Sequence, residues 1–254
     1  MRARDDKTML HQVGAGALED PRFDVPLYTV AEAARILDVP SSTLSTWGRG
    51  YVRRFADRPA VSAGPVITWL DPASDRAPCI PFVGLAEALV VAAVRRSGVP
   101  MQRIRPAIDE LKRQIGIDHA LASKRVYTDG AELLFDYATR SADADTAPLV
   151  LELVVVRHGQ RVFAEALEQY LVNIDYGPDQ YASRIRLPSY TQAEVLADPL
   201  RSFGRPILAR GGARVSDVLD RFWSGQPLAE LSDEFGAPLE QIEDLVRVAS
   251  RRAA

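Results

Sequence analysis

Cysteine is almost missing from this chain. Cys79 is the only one in 254 residues, which excludes an intramolecular disulfide and any cysteine-based zinc site. Histidine is nearly as scarce, with His11, His119 and His158. Long apolar runs are also lacking. The longest, Leu85 to Val94, is interrupted by Glu87 and falls far short of the roughly 20 residues a membrane span needs. The charged start, Met1 to Asp6, leads into no apolar signal core. From these absences we expect a cytoplasmic protein with no membrane partner, no bound metal and no cofactor.

An overall basic charge is absent too. The net charge is −3, so the chain as a whole does not attract phosphate. The charge is uneven, however. Residues 1–118 carry 16 basic and 14 acidic side chains, residues 119–189 carry 7 and 10, and residues 190–254 carry 8 and 10. Only the N-terminal part is net positive. With 47% hydrophobic residues, the chain can bury a core, and disorder throughout is excluded. At roughly 100–200 residues per domain the length predicts two domains.

Residues 1–26 are polar and aperiodic and read as a flexible arm. From Thr29 the pattern turns helical, with Glu32 three residues on in capping-box spacing. Val30, Ala33, Ala34 and Leu37 follow at helical intervals. Asp38 to Pro40 breaks this helix, and Ser41 is placed to cap a second, Ser42 to about Gly48. Six prolines and glycines divide residues 58–81, and Val66-Ile67-Thr68-Trp69 among them reads as part of a small hairpin. Helices are expected at 84–96 and 101–115. Residues 125–127 and 133–135 read as strands around the turn Thr128-Asp129-Gly130. Residues 139–148 form the best linker, followed by an amphipathic helix from Leu149 to Asn173. Alternation of Tyr181, Ser183, Ile185 and Leu187 predicts a strand across 180–187. Three short helices end the chain, Val215–Trp223, Leu228–Phe235 and Leu239–Ser250.

The helix, tight turn and second helix of residues 29–48 match a helix-turn-helix, whose second helix lies in the major groove. Ser41, Ser42, Thr43, Ser45 and Thr46 supply short hydroxyls suited to phosphates and base edges. Leu44 and Trp47, three apart, can face the core. Arg49, Arg53, Arg54 and Arg58 follow, opposed only by Asp57, a cluster suited to phosphate contact. The same pattern also suits a helical hairpin with a solvated arginine face. The segment from Leu27 to Trp47 resembles the opening of a MerR-type winged helix-turn-helix. The likeness continues through a wing-like region at 59–70 and a helical pair joined at Ser97-Gly98-Val99-Pro100. It implies a DNA-binding domain, residues 27–138. The family's arginine after the Thr-Leu pair is Ser45 here, and the lack of cysteines excludes a metal-sensing version.

A second constellation lies at 198–250. Asp198-Pro199, then Gly204-Arg205-Pro206-Ile207-Leu208, then Arg214-Val215 and the three helices, occur in fixed order. This resembles a small bacterial family of antitoxins encoded beside PIN-like ribonuclease toxins, as in VapBC-like systems. The resemblance implies a homeodomain-like three-helix bundle and a short strand, Gly204 to Leu208, that pairs with its copy in a homodimer. It also implies a PIN-like ribonuclease as partner. Independently, Ile207 and Leu208 show no hairpin mate in the sequence, and a lone short strand needs one. Residues 149–254 are thus expected to dimerise and to capture the toxin.

One motif points elsewhere. Val154 to Gln160, with Arg157-His158-Gly159, is similar to the signature of histidine phosphatases. That chemistry needs a second, later histidine, and none follows His158. Nucleophile-elbow, phosphate-loop and zinc-protease motifs are absent as well. The sequence therefore predicts a mainly α, non-enzymatic protein with small β elements. It reads as an antitoxin that binds operator DNA, the alternatives being a MerR-like regulator with no toxin and a helical adaptor that binds only protein.

Overall fold

The computed structural model describes residues 20–54, 57, 59–74, 76–96, 98, 100–140, 147–148, 150 and 171–253. Helices α1 (Val30–Leu37) and α2 (Ser41–Arg49) lead into a two-stranded antiparallel hairpin, β1 (Tyr51–Arg53) with β2 (Val61–Ala63). Helices α3 (Phe82–Arg96), α4 (Met101–Ile115) and α5 (Lys124–Arg140) follow. A four-stranded antiparallel sheet then runs in chain order: β3 (Ile174–Tyr176), β4 (Ala182–Arg186), β5 (Val195–Ala197) and β6 (Ile207–Leu208). Helices α6 (Val215–Trp223), α7 (Leu228–Phe235) and α8 (Leu239–Ala253) pack against one another after it.

The apolar run that is too short to cross a membrane is the centre of the protein. Every residue from Phe82 to Val94 is buried, Glu87 included. A helix apolar on all sides must be covered on all sides, and α3 is in contact with α1, α4 and β4. Among the described residues no helix is long and apolar enough to cross a membrane.

Both ends of the chain share this core. Tyr28 is 1% exposed, and its hydroxyl donates to the Gly204 carbonyl at 2.8 Å. Gly204 has φ +74, and a Cβ there would lie 2.2 Å from the Tyr28 oxygen, so glycine is required twice over. Burial pushes the Tyr28 hydroxyl far above its usual range, with the Asp198 and Glu32 charges adding to the shift. Of the expected arm, residues 20–23 are anchored instead. Arg22 bridges Asp20 and Asp179 at 2.7 and 2.5 Å, and the Phe23 ring meets His119 and Tyr181. The Arg22 carbonyl also accepts from the Val83 amide at 2.9 Å. The remainder of the arm, residues 1–19, falls outside the described residues.

Several local expectations are corrected. The strands foreseen at 125–127 and 133–135 are one helix, α5. Val126, Gly130 and Leu134 are buried at intervals of four, and a Cβ at Gly130 would meet Leu111 at an ordinary contact distance of 3.6 Å. A glycine within a helix looks like a turn when Thr-Asp precedes it. Helix α5 also takes up the first two residues of the foreseen linker. The strand foreseen at Val66–Trp69 is a core plug rather than a strand. Val66 and Ile67 are buried, and both amides point to the Trp47 carbonyl. The hairpin lies earlier, where three-residue strands are too short to show alternation. The Leu149–Asn173 helix and the motif around His158 lie mostly or wholly outside the described residues.

In the segment Gly204, Arg205, Pro206, Ile207, Leu208, foreseen to pair with its copy in a homodimer, the expectation that the strand lacks a mate is corrected. Its two strand residues have mates in their own chain: Leu208 pairs with Val195 and Ile207 with Leu196. The other edge is occupied too, by Leu208 N–H to the Ala213 carbonyl and Val215 N–H to the Pro206 carbonyl, at 2.8 and 3.0 Å. Ile207 and Leu208 are buried, so strand exchange at this position would first require breaking the sheet.

One buried carboxylate fastens the last helix to that sheet. The Asp244 side chain is fully buried in α8. Its Oδ2 accepts from the backbone amides of Thr191, Gln192 and Ala193 at 2.7, 2.6 and 2.9 Å, and Oδ1 takes Arg247. Burial alone would raise its pKa. The three amides and the guanidinium outweigh that and hold the carboxyl below its usual range. A depressed folded pKa means that the stabilisation is present above about pH 4, the unfolded value. It is lost as pH falls through the lower, folded value. We expect acid unfolding of the wild type to lose this increment and Asp244→Asn to lack it at every pH. Denaturant titrations from pH 7 to pH 3 measure it.

Candidate nucleic-acid interface

The capping box foreseen at Thr29 is formed. The Glu32 amide donates to the Thr29 hydroxyl oxygen at 3.2 Å, and the Thr29 amide donates to the Glu32 carboxylate at 2.9 Å. Helix α1 ends at Asp38, which takes the left-handed conformation at φ 55. The N-cap of α2 is Pro40, without a side-chain cap; Ser41, foreseen as the cap, is instead the first helical residue. The amides of Ser41 and Ser42 open the helix, where they have no intrahelical acceptor.

Leu44 and Trp47 are 0% and 1% exposed and hold one face of α2 against the core. Beside that face run Ser41, Ser45 and Arg49, in line at intervals of four. Ser41, Ser42 and Arg49 are exposed, and Thr43, Ser45 and Thr46 are half-buried. The Thr46 hydroxyl donates back to the Ser42 carbonyl at 2.8 Å, so its donor is used within the helix. Beyond α2, Gly50 turns the chain directly into β1 at φ 71 and ψ −166. Arg53 lies in β1 and Arg54 just after it, exposed. Arg58 falls outside the described residues. Neither Arg49 nor Arg54 makes a hydrogen bond or ion pair to any described residue, so their donors remain available to a ligand.

Several buried polar side chains, not foreseen as part of the site, hold this surface in place. Arg105 of α4, 8% exposed, donates to the carbonyls of Gly64 and Thr46 and lies 5.4 Å from the Tyr51 ring centroid. It thereby ties the end of α2 to the hairpin. Lys112 donates to the Val66 carbonyl at 2.8 Å. Glu87 accepts from the Thr68 amide, and the Thr68 hydroxyl meets His119 Nδ1 at 2.8 Å. Burial raises the Glu87 carboxyl above its usual range, against the opposing pull of Lys112 and the Thr68 bonds. In sequence Arg105 and Lys112 look like ordinary polar positions of an amphipathic helix, and Glu87 reads only as an interruption of an apolar run. Only the tertiary structure reveals that they face inward.

The comparisons agree with this geometry. Residues 26–108 match a family model described as "Putative DNA-binding HTH domain". A protein named "Putative antitoxin VapB45", from Mycobacterium tuberculosis, is 48% identical over 224 residues, covering 88% of this chain and 93% of the relative. The chain belongs to the VapB45 family. A more distant relative from the same organism, "Uncharacterized protein Rv2308", is 27% identical over 236 residues and covers 88% and 90% of the two chains. The crystal structure of Rv2018 from Mycobacterium tuberculosis matches with a TM-score of 0.74 at 45% identity, covering 89% of this chain and 99% of that one. The VapB45 likeness thus spans both halves of the chain and their shared core, and is not confined to the helix-turn-helix. Among the described residues no cluster of potential metal ligands occurs.

Proposed function

We propose that this protein is a DNA-binding antitoxin that neutralises a PIN-like ribonuclease and autoregulates its operon. One observation carries the DNA half: the outer line of α2 ends in the exposed Arg49, which makes no polar contact with the described residues, and Arg54 stands in the same condition just beyond β1. In this reading α2 enters the major groove and the hairpin serves as a MerR-type wing along the backbone, with Ser41, Ser42, Thr43, Ser45 and Thr46 near base edges and phosphates. Arg49, Arg53, Arg54 and Arg58 neutralise phosphate.

The C-terminal helices are poorly suited to the same task. Glu230, Asp233 and Glu234 of α7 and Glu240 and Glu243 of α8 are all exposed. That surface repels DNA and suits a basic, RNA-binding protein face. Leu239, 44% exposed beside them, adds an apolar contact. The name of the VapB45 relative supports the antitoxin role. Co-expression tests it: toxicity of the neighbouring gene's product should be suppressed by this protein. Undiminished toxicity would overturn the antitoxin half.

A regulator without a toxin is favoured by one feature. A cleft of about 510 Å³ lies between α1 and α6, lined by residues including Ile36, Leu219, Trp223, Arg35 and Arg205, a size ordinary for a small-molecule site. Under that reading, loss of the neighbouring gene leaves regulation intact.

A further inference from the structure

Arg49 makes no polar contact with the described residues, but its position is set by an aromatic ring. Its guanidinium carbon lies 4.9 Å from the ring centroid of Trp69. That ring is itself fixed. It rests on Gly48, where a Cβ would lie 2.0 Å from Trp69 Cε3, so only glycine admits it. On either side of the tryptophan the backbone is pinned, through Thr68 N–H to Glu87 and Leu70 N–H to the Cys79 carbonyl at 2.8 Å.

We propose that Trp69 is a positioning residue that presents the Arg49 guanidinium, by stacking, to a DNA phosphate. This rests on the DNA-binding reading above and assigns to it a residue outside both the helix and the hairpin. A free arginine gives up most of its rotamer freedom on fixing. Stacking gives up part of that freedom before DNA arrives, and it leaves the N–H donors along the guanidinium edge available for paired contacts to phosphate. Arg54 has no such support among the described residues and is the natural control.

The test uses the full chain and two labelled duplexes, one from immediately upstream of its own gene and one scrambled. Trp69→Leu should weaken binding to both by about two- to fivefold, the range expected of an exposed cation–π contact. Trp69→Phe should lie between it and wild type. Arg49→Lys keeps the charge, loses both the planar stack and the paired phosphate contact, and is exposed enough to leave the fold intact; it should lose at least as much as Trp69→Leu. In an Arg49→Gln background Trp69→Leu should cause no further loss, while in an Arg54→Gln background it should cause the full loss. The full loss in the Arg49→Gln background, or wild-type affinity in Arg49→Lys, would overturn the role of Trp69 and leave the DNA-binding reading standing. A wild-type protein with no salt-dependent affinity for either duplex would overturn both.

Discussion

Replacing Arg49 and Arg54 together by glutamate should lower affinity for duplex DNA by about 100-fold, and equally for specific and scrambled sequences. Each side chain is exposed and makes no polar contact with the described residues, so each can contact a phosphate at no expense to an internal bond. Phosphate contacts position a protein without reading sequence, which is why the loss should be uniform. Losing two such contacts should also flatten the dependence of log K on log salt by roughly 2. The melting temperature should stay within a degree or two, because surface substitutions away from packed features seldom matter to stability. Fluorescence anisotropy over a salt series, with thermal unfolding alongside, gives all three readings. A drop confined to one sequence would place the arginines at base edges instead.

Gly50→Ala should be strongly destabilising, because it combines backbone strain with a steric clash. Gly50 has φ 71 and ψ −166, a region essentially reserved for glycine, and a residue held there costs of order 1–3 kcal/mol. An added Cβ would also lie 2.3 Å from the Ala63 carbonyl oxygen, and overpacking of that kind costs about 1–3 kcal/mol more. Together these predict a loss of about 2–5 kcal/mol, or roughly 5–15 °C in melting temperature for a chain of this size. Relief of the clash would have to separate the hairpin from the end of α2. The control is Gly64→Ala, where a Cβ meets nothing within 4 Å and stability should change by less than about 0.5 kcal/mol. Equal melting temperatures for the two variants would mean that the turn is not rigid.

What was readable in the sequence was local. The Thr29–Glu32 capping box, the burial of Leu44 and Trp47, and the three C-terminal helices depend on residues a few positions apart, and each is found where the periodicity placed it. The errors share one physical cause, interactions between residues remote in sequence. Val66–Trp69 has the composition of a strand but fills space under Trp47. Gly130 looks like a turn but lies inside α5, on the face that packs against Leu111. Ile207 and Leu208 show no mate in the sequence because theirs, Leu196 and Val195, lie beyond a nine-residue connection, 198–206. The hydroxyl line of α2 was legible because it is one helix face. The supports beneath it, Arg105, Glu87, Lys112 and Trp69, were not, because their partners, Gly64, Thr46, Thr68, Val66 and Arg49, lie 19 or more residues away in the chain.

The central claim is that α2, and no other helix-turn-helix of this chain, docks against the duplex. A photo-crosslinking side chain placed at Ser42 in one variant and at Glu240 in another, each mixed with labelled upstream DNA, tests it directly. The account predicts covalent DNA adducts from position 42 and none from position 240. Adducts from position 240 alone would transfer the DNA-binding role to the C-terminal helices and contradict it.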